Sequence, residues 1–477
     1  MVGWIILIAV LALILVLIVR AVGFKPEAAS NNGAEPVSVD GQHALESLQA
    51  MVRFPTISRW APEKADEAVF ENFRAYLKQR YPLAHSHCPQ ERIGQSGIVF
   101  HWKGRSSESP TVLMAHYDVV PADDADAWKY PPFSGSLEGD VLWGRGTIDT
   151  KCTLCGILEA VEAQLSKGYV PQKDIFLSFS GDEEVFGTSA PAIVKWLKEK
   201  GISPALVVDE GGAVVNNIFP GVKEACALIG VGEKGMANIE ISWEGHGGHA
   251  STPSRVTPMG RLAKAITQIE AHPFKANLPG PTVEMMETLG RYSGFGLKII
   301  FANLWLFKGL ISRLFSKAGG ELGAMCHTTI AFTQASGSSA VNVIPTRVSA
   351  VANLRLGRDT TMEQAVAHFQ KTARESIKVK LLSGMNASPY ADTSSDAWKR
   401  VKLAAGQTYP EAVVSPYIMM ACSDSRNFCA ICDNVLRFSP IALTKAQLGL
   451  IHGRDERLSK QQLEKCVEFF VRLIINS

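Results

Sequence analysis

The sequence predicts an α/β protein built on a mostly parallel sheet, with a second, ferredoxin-like α+β domain inserted into it. Two patterns carry this. From Ile98 to Asp209 short apolar strands alternate with helical segments, the signature of parallel strands covered on both faces. Near Lys234 the order becomes strand, helix, strand, strand, helix, strand, which is the split unit of ferredoxin-like domains. Strand–helix alternation resumes at Asp396.

In chain order, Val2 to Val19 is uncharged and almost wholly Ile, Leu, Val and Ala. At about 1.5 Å per residue such a helix spans the roughly 30 Å hydrocarbon core. Residues 1–23 are therefore expected to be a single-pass transmembrane anchor. A cleaved signal peptide is the alternative, but no Lys or Arg precedes the run and no small-x-small cleavage site follows it. Arg20 and Lys25, just after the run, favour keeping that side cytoplasmic, with the opposite orientation as the alternative. Residues 24–42, with Asn-Asn-Gly and two Glu/Pro steps, read as a tether. The main domain is expected over 43–233 and 386–477. Its first part has helices at His43–Met51, Ala65–Gln79, Cys152–Leu165 and Ala190–Lys200, and strands at Gly97–Trp102, Thr111–Ala115, Asp174–Ser180 and Ala205–Val208. Its second part has Asp396–Gly406, Ala412–Met419, Val435–Phe438 and Lys460–Ile474. The inserted domain is expected over 234–385: strands Ala237–Trp243, Thr328–Thr333, Arg347–Arg355 and Ile377–Leu382, and helices Pro258–Ile269 and Met362–Ser376. It carries its own insertion at 279–320. Within that, Gly294–Lys317 is rich in Phe, Leu, Ile and Trp and bears only positive charges, Lys298, Lys308, Arg313 and Lys317. It reads either as a helical hairpin packed on its own domain or as a basic amphipathic surface that meets a membrane or admits an apolar substrate.

A net charge of +2 over 477 residues gives no electrostatic footprint for nucleic acid. Nine scattered cysteines are not a disulfide framework. Cys152/Cys155 and Cys429/Cys432 have C-x-x-C spacing but no second pair nearby, and buried free thiols are the better reading than half a zinc site.

The chemistry gathers at strand ends. The strand Thr111–Ala115 runs into His116 and Asp118; residues two apart on a strand point the same way, so the carboxylate is placed to orient the imidazole for a metal. A loop pair with no metal is the plainer reading of His-x-Asp by itself. Four more clusters change the weight: Trp143-Gly144-Arg145-Gly146 leading to Asp149, the Asp182-Glu183-Glu184 run after a strand, Asp209-Glu210-Gly211-Gly212, and His452-Gly453-Arg454-Asp455-Glu456. Adjacent acids at a strand end repel unless a cation or a proton intervenes, although a solvated acidic turn has the same composition. His116, Asp149, Glu184, Asp209 and His452 make a nitrogen–oxygen donor set suited to zinc, manganese or cobalt. With one carboxylate bridging, two metals are served, and Glu183 is left as a general base.

These motifs, in this order, resemble the co-catalytic dizinc peptidase family that includes aminoacylase, carboxypeptidase S, glutamate carboxypeptidase and succinyl-diaminopimelate desuccinylase. The wording His116-Tyr117-Asp118-Val119-Val120-Pro121 is most similar to carboxypeptidase S and the N-acyl amino acid hydrolases. The resemblance implies a dizinc peptidase catalytic domain with a lid and dimerisation domain, and two Zn2+ per subunit, with Co2+ or Mn2+ as substitutes. Asp149 would bridge the metals; His116 and Asp209, in preference to the adjacent Glu210, would complete one site and Glu184 and His452 the other. Asp118 would orient His116 and Glu183 would shuttle the proton. Gly247-Gly248-His249-Ala250-Ser251 matches a lid motif whose histidine reaches the partner subunit's site to stabilise the oxyanion; His246 reads as a surface residue. Asn342 and Arg355 match substrate-binding lid positions, and the alternative for Arg355 is a strand arginine in a surface ion pair. Ser423-Asp424-Ser425-Arg426 matches a turn beside the site, with Ala421-Cys422 where glycine is usual.

The implied function is hydrolysis of an amide bond next to a free carboxylate, in a peptide or an N-acyl amino acid, by a membrane-anchored homodimer. Relatives also run in reverse, condensing amine and acid. A narrow biosynthetic deacylase and a non-catalytic binder on the same fold are the alternatives. The binder would be marked by a missing ligand or base, and none is missing.

Overall fold

In the computed structural model, which describes residues 1–27, 34–61, 65–373 and 377–477, the strand Ser106–His116 lies inside a ten-stranded sheet. Lys173–Ser180 flanks it on one side and Leu206–Asp209 on the other, both parallel to it, and Val435–Arg437 continues in parallel beyond Leu206–Asp209. Gly97–Trp102 and Gln90–Ile93 close one edge in antiparallel fashion. These strands are apolar along nearly every position because helices cover both faces: Val112, Leu113, Leu177, Phe179, Leu206 and Val207 are all buried. The helices Lys151–Ser166 and Lys460–Ile475 pack together on one face with Gly41–Val52, and Ser189–Glu199 covers the other.

The parallel arrangement fixes where chemistry can occur. Ser106–His116, Lys173–Ser180 and Leu206–Asp209 all end on the same edge, the crevice where open α/β sheets place ligands. His116, the Glu183–Glu184 turn and Glu210 follow directly from those three ends.

The second sheet has the order Thr329–Ser336, Arg347–Leu356, Gly235–Glu244, Lys378–Met385, all antiparallel. Numbered in chain order this is 2-3-1-4, the ferredoxin-like arrangement. Pro258–Ala271 and Met362–Ala373 cover one face, around Ile239, Ile241, Leu262, Ala350, Leu354 and Phe369. Residues 374–376 of the expected helix, like 28–33 of the expected tether, lie outside the described residues. The main sheet's Cys226–Glu233 runs into Gly235–Glu244 across Lys234 alone. The return crossing is tied to the first: Glu233 N–H donates to Ser388 Oγ at 2.8 Å and Ser388 N–H to Glu233 O at 3.1 Å.

The 279–320 insertion does not pack on the second sheet. Met286, Leu289, Phe301, Leu304 and Ile311 belong to the core of the main sheet, and Gly280–Gly290 lies against Val413–Met419. Of the two sequence readings, a hairpin packed on its own domain is therefore overturned: the helix faces that bury do so on the main body. The C-x-x-C cysteines are free thiols, with Cys152, Cys155 and Cys432 buried and Cys429 half-buried.

One fully buried ion pair joins the strands. Arg437 Nε donates to Glu233 Oε1 at 2.5 Å, and neither side chain reaches solvent. Glu233 also accepts from Ser423 Oγ at 2.8 Å and Ser425 Oγ at 3.3 Å. Breaking such a pair leaves a buried charge uncompensated. Arg437→Met is expected to lower unfolding stability by about 3–5 kcal/mol, read by urea denaturation; a loss under about 1 kcal/mol would show that the carboxylate neutralises cheaply.

Candidate functional site

The strand ends converge on two imidazoles and a shell of carboxylates. His116 Nε2 lies 3.1 Å from Asp149 Oδ1 and 3.3 Å from Glu210 Oε1. His452 Nε2 lies 3.0 Å from both Asp149 Oδ2 and Glu184 Oε2. Asp149 thus presents one oxygen to each histidine, and Glu210 and Glu184 stand on opposite sides of it. One donor atom each from His116, Asp149 and Glu184 falls within 4.8 Å of the others, as does one each from His116, Glu183 and Glu210.

The geometry brings Glu210, rather than the expected Asp209, against His116. Asp209 closes its strand, and its Oδ2 accepts the Ser425 N–H at 3.0 Å. Glu210, one residue on and pointing the opposite way, is the group that reaches the imidazole. Alternation along an extended chain gives the two neighbours opposite directions, and nothing local in Asp209-Glu210-Gly211-Gly212 says which faces the crevice.

Asp118 is placed as a support. Its carboxylate lies 3.3 Å from His116 Nδ1, whose ring also contacts the Asp118 backbone carbonyl at 3.0 Å. The same carboxylate accepts the Glu183 N–H at 3.2 Å and the Glu184 N–H at 3.1 Å. One buried side chain therefore fixes the first histidine and the acidic turn together.

Glu456 has the same kind of role, and sequence reading did not single it out. Fully buried, it accepts from Gly146 N–H at 2.9 Å, Ile148 N–H at 2.6 Å, Asp149 N–H at 3.2 Å and Arg145 Nη1 at 2.9 Å. It holds the glycine-bearing loop that delivers Asp149; Gly146 has φ +88°, open to glycine and costly elsewhere. Arg145 Nη2 reaches on to the His452 carbonyl at 3.2 Å, and His452 itself sits at φ +59°. Left-handed backbone at a non-glycine residue persists where the surroundings hold it. The Arg145–Glu456 pairing spans over three hundred positions, so no local signal announces it.

The electrostatics follow from crowding. Burial works against a charged His116, yet Glu210, Asp118 and Asp149 overcome it and hold the ring protonated well above its usual range. Hydrogen bonds that its ring donates to Asp149 and Glu184 push His452 up to about 10. Burial lifts Glu210 to about 8, partly offset by His116, and lifts Glu183 well above the ordinary carboxyl range. Asp149 moves the other way: burial opposes its charge, but the two histidines outweigh it. Glu184 Oε1 is buried with no hydrogen-bond partner among the described residues. An unpartnered carboxylate oxygen beside two imidazoles and further carboxylates is a donor set that could hold divalent cations.

A cavity of about 480 Å³ opens from this cluster. Asp149, Glu183, Glu184, Glu210 and His452 share its walls with Val215, Phe219, Leu228, Met285, Leu289, Leu322 and Met325. Its lining is therefore acidic at the histidines and apolar over the rest. Ser423-Asp424-Ser425-Arg426 backs the cluster: Asp424 accepts from Ser180 Oγ at 2.5 Å, and the glycine-less Ala421-Cys422 step contributes to the cavity wall.

His249 and Asn342 are not among the residues lining the cavity. They meet each other on a short exposed ribbon, Gly248–His249 against Val343–Ile344, with Ala250 N–H donating to the Asn342 carbonyl at 2.9 Å. The His249 ring contacts Ser251, with Nδ1 2.7 Å from its Oγ and accepting its backbone N–H at 3.1 Å. Arg355 is half-buried on the second sheet and reaches toward the site, with Nη1 3.9 Å from Cys422 Sγ; the surface ion pair considered for it is not formed among the described residues.

Comparison with known proteins identifies the family. The family model for peptidase family M20/M25/M40 matches residues 112–476. A probable carboxypeptidase S-like 2 of Dictyostelium discoideum is 32% identical, covering 98% of this chain and 92% of its own. The N-fatty-acyl-amino acid synthase/hydrolase PM20D1 of Homo sapiens is 31% identical, covering 91% and 87%. Among solved structures, the M20 family metallo-carboxypeptidase Sso-CP2 of Sulfolobus solfataricus superposes with a TM-score of 0.65 at 17% identity, covering 91% of this chain and 99% of that one. Bacillus subtilis YXEP, described as a dinuclear metal binding peptidase, gives 0.56 at 12%, covering 91% and 97%. With the matched region taking in every residue of the histidine–carboxylate cluster, the chain belongs to peptidase family M20/M25/M40 and is an enzyme of that family.

Proposed function

We propose that this enzyme cleaves the amide bond of N-acyl amino acids with long apolar acyl groups. The observation that carries the reading is the cavity: its apolar walls start beside the acidic cluster, so an acyl chain can lie along Phe219, Met285, Leu289 and Met325 while its carbonyl reaches Glu183. The name borne by the Homo sapiens relative, N-fatty-acyl-amino acid synthase/hydrolase, fits the same substrate class and allows for condensation as well as hydrolysis. A carboxypeptidase acting on apolar peptides is the second reading, supported by the name of the Dictyostelium relative. The apolar lining argues against a narrow deacylase of small polar substrates.

The donor set fits two divalent cations, zinc first and cobalt or manganese as substitutes: His116 and Glu210 would hold one, Glu184 and His452 the other, with Asp149 between them. Such a pair, when bound, polarises the scissile carbonyl and acidifies water. The protein's own groups do the rest. Glu183, buried and lifted above the ordinary carboxyl range, takes the proton of the attacking water and hands it to the departing nitrogen. Asp118 keeps the His116 ring and the Glu183–Glu184 backbone in register. Arg355 binds the substrate carboxylate. His249 and Asn342, outside the cavity of their own chain, serve the partner's site in a homodimer, where His249 donates to the developing oxyanion.

The discriminating experiment is amine release from a series of N-acyl amino acids and blocked dipeptides by the zinc-loaded full chain. Rates should rise with acyl length, and Glu183→Gln should lose at least about a hundredfold while keeping its metal content. Preference for dipeptides would move the assignment to carboxypeptidase. For His249, mixed dimers of His249→Ala and Glu183→Gln subunits should regain activity that neither variant has alone; dimers shown to form yet inactive would place His249 within its own chain.

Metal loading should depend on pH with a definite sign. His452 and Glu210, at about 10 and about 8 without metal, both hold protons at neutral pH, and a cation must displace them. Adding zinc to chelator-treated protein is expected to release about three protons, the third from His116, which is also held protonated, so affinity falls as pH drops. Calorimetry in two buffers of different ionisation enthalpy measures this; equal heats would show that these groups bind no metal.

A further inference from the structure

The 279–320 insertion holds a surface that the reaction does not use. Its helices Phe295–Phe301 and Leu304–Ala318 meet at a sharp elbow, bent by 100°. The inner face packs on the body through Phe301, Leu304 and Ile311. The outer face exposes Trp305, Leu306, Leu310 and Leu314, with the last three spaced four residues apart in one stripe. Lys308, Arg313 and Lys317 stand exposed along the same helix, and no acidic residue occurs between Arg291 and Gly320.

What this face meets is indicated by its neighbour. The elbow is fastened to the end of the Val2–Gly23 helix: Asn303 Nδ2 donates to the Leu17 carbonyl at 3.1 Å and Arg20 Nε to the Ala302 carbonyl at 3.1 Å. Asn303 is fully buried by this contact, and its Oδ1 accepts the Trp305 indole N–H at 3.3 Å. Arg291 lies over the Phe24 ring at 4.8 Å. The helix's 22 residues span about 33 Å, close to the thickness of a hydrocarbon core. Its last turn, and with it the elbow, then falls at the boundary between acyl chains and headgroups. An exposed leucine stripe, an indole at that depth and basic flanks are the composition of helices that lie in an anionic interface.

We propose that the Phe295–Ala318 elbow docks into an anionic lipid leaflet beside the anchor and opens the apolar cavity toward that leaflet. The second part follows from continuity. Phe301, on the inner face of the elbow, contacts the cavity residue Phe219 with ring centroids 5.1 Å apart. Gly280–Gly290 and Gly320–Ala324, the helices on either side of the elbow, line the cavity through Leu289 and Leu322. An acyl chain leaving the leaflet would enter between lipid and the elbow and reach Glu183 without crossing water. The docking stands on the elbow and the Val2–Gly23 helix it is fastened to; only the identity of the cargo rests on the N-acyl amino acid reading.

The test uses the full chain in phosphatidylcholine vesicles with and without phosphatidylserine. Subtracting the emission of Trp305→Phe from that of the native protein isolates Trp305. That difference is expected to be quenched by lipids brominated near the headgroup end of the chain and shielded from aqueous iodide. Quenching by iodide and not by bromolipid would overturn the docking. The triple variant Lys308→Glu, Arg313→Glu, Lys317→Glu should hydrolyse a vesicle-borne long-chain N-acyl amino acid about tenfold more slowly on phosphatidylserine vesicles. Its rate on a short, water-soluble N-acyl substrate should be unchanged, which also confirms folding. Equal rates on the vesicle-borne substrate would overturn lipid delivery. Native enzyme that cannot cleave the long-chain substrate even in detergent would refute the acyl reading instead, and the Trp305 measurement would still decide the docking.

Discussion

Like charge brought together out of water is the constraint around which this molecule is arranged. Asp149, Glu183, Glu184 and Glu210 share one crevice with Asp118, Asp209 and Asp424 just behind. Burial first, and repulsion between neighbouring carboxylates after it, drive such groups toward the neutral form, and the raised positions of Glu183, Glu210 and Asp424 express that. Only Asp149, caught between two imidazoles, is driven the other way. Asp118, Asp209 and Asp424, behind the crevice, are held by backbone N–H or hydroxyl donors, while Glu184, facing it, keeps one oxygen without a partner among the described residues.

That division explains the architecture of the supports. Asp118 ties the end of one strand to the turn after the next. Glu456 gathers three consecutive-region amides and an arginine to shape the loop before Asp149. Asp209 anchors the Ser425 amide, and Glu233, paired with Arg437, anchors Ser423 and Ser425. Ligands tend to be only as well placed as the groups that orient them, and here the orienting groups come from segments hundreds of residues apart.

Much of this was legible in the sequence, for reasons that also mark the limits. Strands such as Gly97–Trp102 and helices such as Lys151–Ser166 announce themselves because their apolar runs have the right length and flanks. Cys226–Glu233 went unread: its two glycines and its near-continuity with Gly235–Glu244 blur the boundary between the two sheets. Val214–Val215 and Ala442–Leu443 are strands only because they pair with each other and with Cys226–Glu233. At the site, residue type and strand-end position point to His116, Asp149, Glu183, Glu184 and His452, since few other arrangements tolerate those residues there. Choosing Glu210 over Asp209 needs the direction of a side chain, and finding Glu456 or Arg437 needs a contact partner; neither is a local property. The insertion's packing on the main body was likewise beyond a local pattern, because an amphipathic helix shows that it has an apolar face and not what covers it.

The passage between the two sheets has a mechanical consequence. The chain crosses at Lys234 and returns near Ser388, and the two crossings are hydrogen-bonded to each other at Glu233. Paired so closely, they tie the two sheets at one place: sliding the ferredoxin-like sheet past the main one would break both bonds. Lys234 Nζ adds a brake, donating to the carbonyls of Ala324 at 2.8 Å and His327 at 2.7 Å. Glu233 is also the residue that grips Ser423, Ser425 and Arg437 behind the crevice. Torque applied at the far sheet therefore arrives, through a single carboxylate, at the turn on which the acidic cluster leans.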